Sequence, residues 1–310
     1  MARSAPDRQH GVALITALVV LAIAAGLAAA MIWQSGLDVR RTSTLVQGDQ
    51  AMEYALGAEA WAEQILARSG RQNPGATALS QDWAQQLPPL PVEGGQIRGK
   101  IEDLQGRFNL NNIVNAQGQI QPTSLQQFQN LLTALNQDPT LAQTVADWMS
   151  RSSVASPGGA KDDYYSRLQP AYITAEGPIS SVSELLLVKG ITPAVYAQIS
   201  PYVCALPAQA GVAKVNINTA SGPVLESLDS HISADLASQV IGARGSQVFK
   251  SPPDAFTAAL IKPANMGYDS QYFLLTVDAE IGSTHVTLYS LLYRGAGNGV
   301  IAVRRTFGTL

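Results

Sequence analysis

The side chains able to do chemistry in this 310-residue chain are few and scattered. The three histidines, His10, His231 and His285, are isolated in sequence, with no nucleophile at a spacing that would let one serve as its base. There is no Gly-x-Ser-x-Gly elbow, no His-Glu-x-x-His pair and no phosphate loop. The residues recommend no enzymatic activity. A single cysteine, Cys204, excludes an intrachain disulfide and a zinc site built on several thiolates, and is expected to be a buried, inert thiol. The chemistry that the spacing does suggest is done to the chain. Gly11 stands between a polar decapeptide and the 22 uncharged residues 12–33. A peptidase cutting at a membrane face needs a small residue there, and cleavage after Gly11 would make Val12 the new N-terminus.

The element that presents this junction is a helix. Residues 12–33 contain neither charge nor proline and would span about 33 Å, the thickness of a bilayer core. Three readings fit: a secretory signal cut near Ala28-Ala29-Ala30, a plain anchor, or a leader ending at Gly11. The apolar run exceeds a signal core, and a cut after Gly11 keeps the whole helix on the mature chain. Small residues such as Ala24, Ala25 and Gly26 would allow close helix approach. No proline interrupts residues 37–68. There Ala51, Tyr54, Ala58, Trp61 and Ile65 form an expected stripe, with Tyr54 and Trp61 packing on a sheet and Glu53, Glu59 and Glu63 off it.

The rest divides by pattern. "GRQNPG" at 70–75 ends the helix, and "LPPLPVEGG" at 87–95 reads as a rigid spacer before a strand at 96–104. Strands are expected at 272–281, 285–294 and 300–307, the first two joined by Gly282-Ser283. Phe273, Leu275, Val277, Ala279 and Ile281 would share one face, which the first helix must cover. Between lie helical patterns at 124–135, 139–150, 181–188, 193–199, 221–228, 234–243 and 253–260, with caps at Thr123, Asp138, Ser180 and Thr192. The fold class is α+β: a long N-terminal helix on a small antiparallel sheet, with a large, mostly helical domain inserted between sheet strands. The expected boundaries are leader 1–11, membrane half of the helix 12–33, first part of the sheet domain 34–106, insertion 107–267 and C-terminal strands 268–310.

The Gly11/Val12 junction, the long helix and the C-terminal strands resemble type IV pilin-like proteins. "EDLQGRFNLNNIV" (102–114) and "PISSVSELLLVKGITPAVYAQISPYVCALP" (178–207) are similar to the K-type minor pseudopilins of the type II secretion system. The resemblance implies cleavage after Gly11 and methylation of Val12 by prepilin peptidase. It implies an inner-membrane protein with a cytoplasmic N-terminus and a periplasmic bulk. Basic residues at both ends of the span, Arg3 and Arg8 against Arg40 and Arg41, give little orientation by themselves. It also implies partners: minor pseudopilins of the I, J and H types, secretion cargo and the outer-membrane secretin. Ordinary pseudopilins carry glutamate at the fifth mature position, to neutralise a neighbour's terminal amine. Here that position is Thr16, which suits a subunit at the tip with no neighbour above it; the simpler reading is a hydroxyl bonded one turn back. K-type sequences often carry an acidic calcium-binding run. Here two of its aspartates have become serine and its glutamate is Lys161, which leaves Asp147, Asp162 and Asp163 as the candidate calcium ligands and no other cofactor. Some relatives have a further cysteine near "FNLN" that could pair with the position of Cys204; this chain has none there. The alternative is an anchored helix-hairpin-helix-like binding protein, from "KVNINTASGPVLESL" (214–228). The net charge of −3 and the missing hairpin glycines argue against nucleic acid as a partner.

Overall fold

In the computed structural model, which describes residues 9–85, 88–207 and 211–308, the chain begins with one helix, α1 (Gln9–Gln72). Its 64 residues extend about 96 Å. Most of the expected leader, residues 1–8, and Leu87 of the expected spacer lie outside the described residues. Side chains from Val12 to Gly36 are exposed, and among the described residues α1 is the one helix long and apolar enough to cross a membrane. Its second half lies on an antiparallel sheet of β1 (Leu90–Val92), β2 (Gly95–Asp103), β7 (Tyr272–Ile281), β8 (Thr284–Arg294) and β9 (Val300–Phe307), in the order β1-β2-β7-β8-β9. Gly95 pairs with Ile281 and Asp103 with Phe273. The β7–β8 turn uses Gly282 at φ +56°, a conformation that costs glycine little.

The expected sheet face is present: Phe273, Leu275, Val277, Ala279 and Ile281 are all buried against α1. The helix meets them with a different stripe from the one expected. Ala51, Ala55, Glu59, Ala62, Leu66 and Ser69 are buried, whereas Tyr54 is half-buried and Trp61 is 51% exposed. Tyr54 packs against this core from its edge, as expected, whereas the reading of Trp61 as a sheet-packing residue is corrected, together with the placing of Glu59 off the buried face. Small side chains let the helix axis approach the sheet closely, and a row of large aromatics there would hold it away. Trp83, on a short 3-10 turn (Asp82–Ala84), closes the far end of this core edge-on to Phe273, with ring centroids 5.4 Å apart.

Between β2 and β7 the chain builds a second, larger core. It contains the short strands β3 (Phe108–Asn109), β4 (Val203–Cys204), β5 (Val215–Asn216) and β6 (Met266–Gly267), paired in parallel as β3–β4 and β5–β6. Its helices are α2 (Pro122–Ala134), α3 (Leu141–Met149), α4 (Asp162–Tyr165), α5 (Pro193–Ile199), α6 (Gly222–Ser227), α7 (Ala234–Arg244) and α8 (Asp254–Ala258). Phe108 stacks on Phe128 at its centre, with centroids 5.4 Å apart. Three caps differ from expectation. α2 starts at Pro122 after Gln121, because proline at the first position already has its φ set for a helix. Asp138 accepts from the backbone and hydroxyl of Thr140 in the turn before α3. Ser181, not Ser180, caps the next segment, a 3-10 helix over Val182–Leu187, in a capping box with Glu184. Thr192 caps α5 as expected. The proline spacer also contributes a strand, β1, at the sheet edge where proline leaves no ladder bond unmade.

Leu66→Ala should lower stability by about 2–5 kcal/mol, because the site cannot collapse onto the missing side chain. Trp61→Ala should cost less than about 1 kcal/mol, as befits a surface change. Urea unfolding of the full chain in detergent micelles compares them, and equal losses would contradict the observed stripe.

Candidate functional site

The surface that α1 turns away from the sheet is the first feature with functional content. Val12, Leu14, Ile15, Leu18 and Val19 begin an apolar rod exposed on all sides. Gly11 and Val12 lie in continuous helix. Thr16 Oγ1 donates to the carbonyls of Ala13 (3.0 Å) and Val12 (3.1 Å), so this hydroxyl is satisfied within its own helix. Further along, Tyr54 and exposed Trp61 flank Gly57, which has nothing within 4 Å of where a Cβ would lie. Tyr54, Gly57 and Trp61 recur at helical spacing beside the sheet-facing stripe, a seat with aromatic walls and a flat floor. On the buried side, Glu59 accepts a two-pronged interaction from Arg305 of β9 (Nη2 to Oε1 2.7 Å; Nε to both oxygens 2.9 Å) and a hydrogen bond from Ser290 of β8. This pair fixes the rotation of the helix about its axis, and so fixes which residues face outward.

The second feature is the junction where the insertion leaves the sheet. Gln47 touches Ser283 in the β7–β8 turn at one end of the sheet, and Thr77 meets Arg294, the last residue of β8, at the other. The insertion therefore emerges at the end of the sheet away from the apolar half of α1. Asp103 is buried there and accepts from Ser270 Oγ (2.6 Å), Thr219 Oγ1 (2.6 Å), Asn216 Nδ2 (2.9 Å) and Gln105 N (2.9 Å). Burial nevertheless pushes its carboxyl above the usual range. Asn216 also donates to the Thr77 carbonyl at 2.9 Å, and buried Arg294 reaches Thr77 Oγ1, Asp269 and the Ser270 carbonyl, each at 2.7 Å. A second set of amides lies in "FNLNN". Asn111 Nδ2 donates to the carbonyls of Ile179 and Leu206, and Asn112 exchanges hydrogen bonds with Ala213. The lone cysteine is locked between these sets. The Cys204 thiol donates to the Leu104 carbonyl, and burial pushes its pKa up to about 12. The other singled-out stretches are structural too. Residues 214–228 form β5, a turn and α6, packed into the insertion core. His231 and His285 lie exposed beside Asp229 and Asp278.

The candidate calcium ligands are not assembled as a ligand set. Both oxygens of Asp147 are occupied, Oδ1 by the Ser156 hydroxyl (2.8 Å) and Oδ2 by the Ser156 amide (2.9 Å). The Gly159 backbone presses so close that an added Cβ would lie 1.7 Å from Oδ2. Asp162 Oδ1 accepts from the amide and hydroxyl of Thr174 at 2.8 and 2.7 Å, which pulls its pKa down, and Asp163 is exposed. The Lys161 side chain is buried and donates to the Ser150 carbonyl. No group of three or more acidic, histidine or cysteine side chains able to hold a metal occurs among the described residues. Oxygens already filled by donors, with an ammonium beside them, do not fit a hard dication. Glu59 and Arg305 are the residues whose roles sequence reasoning missed, since the two lie 246 residues apart.

A transmembrane-length helix continuing onto an antiparallel sheet, with a helical domain carried between two strands, defines a pilin-like subunit of the minor pseudopilin class. Comparison with known proteins narrows this. Two family models described as type II secretion system protein K match residues 106–208 and 215–273. Type II secretion system protein K of Aeromonas hydrophila is 33% identical over 327 residues, covering 97% of this chain and 98% of the relative. That of Pseudomonas aeruginosa is 35% identical over 317 residues, covering 97% and 93%. The chain superimposes with a TM-score of 0.72 and 25% identity, over 87% of its length, on all of a chain from the crystal structure of the GspK-GspI-GspJ complex of enterotoxigenic Escherichia coli. The chain belongs to the protein K family of the type II secretion system.

One expectation follows for Cys204. In the folded chain at pH 8, alkylation by iodoacetamide should be at least about a hundredfold slower than in urea, since a thiol this buried holds almost no thiolate. Intact mass with time reads it, and rapid labelling of the native chain would refute the burial.

Proposed function

We propose that this protein initiates and caps the tip of the secretion pseudopilus. The observation that carries the reading is the placing of the insertion. It leaves the sheet beside Thr77, Asp103 and Arg294, at the end of α1 opposite the apolar rod. Subunits that stack through their N-terminal helices could add below such a body but would meet its bulk above. Thr16 agrees, since its hydroxyl is satisfied within α1 and supplies no carboxylate for an amine from a subunit overhead.

In this reading prepilin peptidase cuts after Gly11 and methylates Val12. Residues 12–33 anchor the chain in the inner membrane before assembly, and the sheet and insertion project into the periplasm. The similar crystal structure holds its K-type chain in a complex with GspI and GspJ, and partners of these I and J types are proposed here, with an H-type subunit reached through them. Tyr54 and Trp61 would contribute aromatic contacts to a neighbouring stem, and the insertion would face cargo or the secretin. The boundaries proposed for these parts remain 12–33, 34–106, 107–267 and 268–310.

Gly11→Leu should abolish processing, leaving an unmethylated chain longer by the leader; a cleaved product from that variant would refute the assignment of the junction. Trp61→Ala should weaken co-purification of the I- and J-type partners from detergent extracts about tenfold, the loss typical of a partly buried aromatic contact. Undiminished recovery would remove Trp61 from the interface.

A further inference from the structure

The stretch from Ser150 to Glu176 is largely loop, yet its backbone is fastened at five points. Asp147 holds the Ser156 amide and hydroxyl. Asp162 holds the amide and hydroxyl of Thr174. The Glu176 amide donates to the Trp148 carbonyl at 3.1 Å. Lys189 Nζ donates to the Gly159 carbonyl at 3.2 Å and stands 5.2 Å from the centre of the Tyr164 ring. The fifth fastening is Lys161, only 5% exposed, whose Nζ donates to the Ser150 carbonyl. Burial pulls the pKa of this ammonium below its usual value, and the charges of Asp147, Glu176 and Asp162 act against that shift. The Ser150 carbonyl thus receives its positive charge from a side chain of the chain itself.

We propose that the ammonium of Lys161 is the resident cation of the 150–176 loop, so that this loop is closed by the chain alone and needs no divalent ion. A dication placed there would have to displace the donors on Asp147 and share the site with a positive charge. The proposal is independent of the position of the protein in the pseudopilus, since it concerns the closure of one loop.

Hydrogen exchange of the full chain in detergent, followed by mass spectrometry over residues 150–176, tests it. In the wild type the exchange of this segment should be the same with EGTA as with calcium chloride. Lys161→Met keeps the length of the side chain but leaves the Ser150 carbonyl without its partner. It should speed exchange in this segment about tenfold or more, in line with the loss of a charged hydrogen bond, and calcium chloride should not restore it. Faster exchange of the wild type on chelation would overturn the proposal, and so would a methionine variant protected like the wild type. Should Lys161→Met fail to fold, Lys161→Gln, which can still donate to Ser150, replaces it. Exchange faster than wild type in that variant supports the role of the charge, and unchanged exchange refutes it.

Discussion

The carboxylate of Asp103 joins the end of β2 to two stretches more than 100 residues further along the chain. It receives Gln105 from the turn after β2, Asn216 and Thr219 from the middle of the insertion, and Ser270 from the approach to β7. Through Asn216 and Arg294 the same node reaches Thr77, just beyond the end of α1. The stem with its sheet and the insertion have separate apolar cores, and apolar contact is too undirected to fix their mutual angle. Buried hydrogen bonds do fix it, because each donor left unpaired at this depth would cost about 1–3 kcal/mol. The small cluster of Leu104, Cys204, Leu206, Ala213, Tyr272 and Leu291 then fills the space between the outer sheet face and the insertion.

A stem serves as a docking shaft only if its outward face is defined, and the sheet defines it. Ala51, Ala55 and Ala62 bring the helix down onto β7 and β8, and the Glu59–Arg305 pair stops it from rolling. With the helix so held, Gly57 and Trp61 point away from the sheet, while Tyr54 lies at the edge of the buried face. The same contacts explain why the apolar half of α1 can extend past the sheet without support from this chain: its partner is a bilayer or another helix.

Much of the fold was legible in the sequence, for physical reasons. Long apolar or alternating runs carry their own periodicity, so α1, β7, β8 and β9 were readable, as was the need for a helix over the Phe273–Ile281 face. The misread parts depend on distant residues. Judged by size, Tyr54 and Trp61 outweigh Ala55 and Ala62, but close approach to a sheet selects the small residues. Glu59 looked like a solvated charge because its partner, Arg305, lies 246 residues away. The donors that bond Asp147 and Asp162, Ser156 and Thr174, lie 9 and 12 residues further on, at spacings that no local pattern marks.

The sequence by itself determined the presence of a membrane-length helix, the junction at Gly11, the order of sheet and insertion, and the absence of enzymatic motifs. Each of these is a property of local pattern, which a linear chain displays directly. Only the tertiary structure decided which face of the stem is buried, at which end of the sheet the insertion stands, and that the Lys161 side chain is buried against the Ser150 carbonyl. Those outcomes are set by which donor finds which acceptor across a hundred residues or more, or by how closely two surfaces can approach, and neither is written in the spacing of neighbours along the chain.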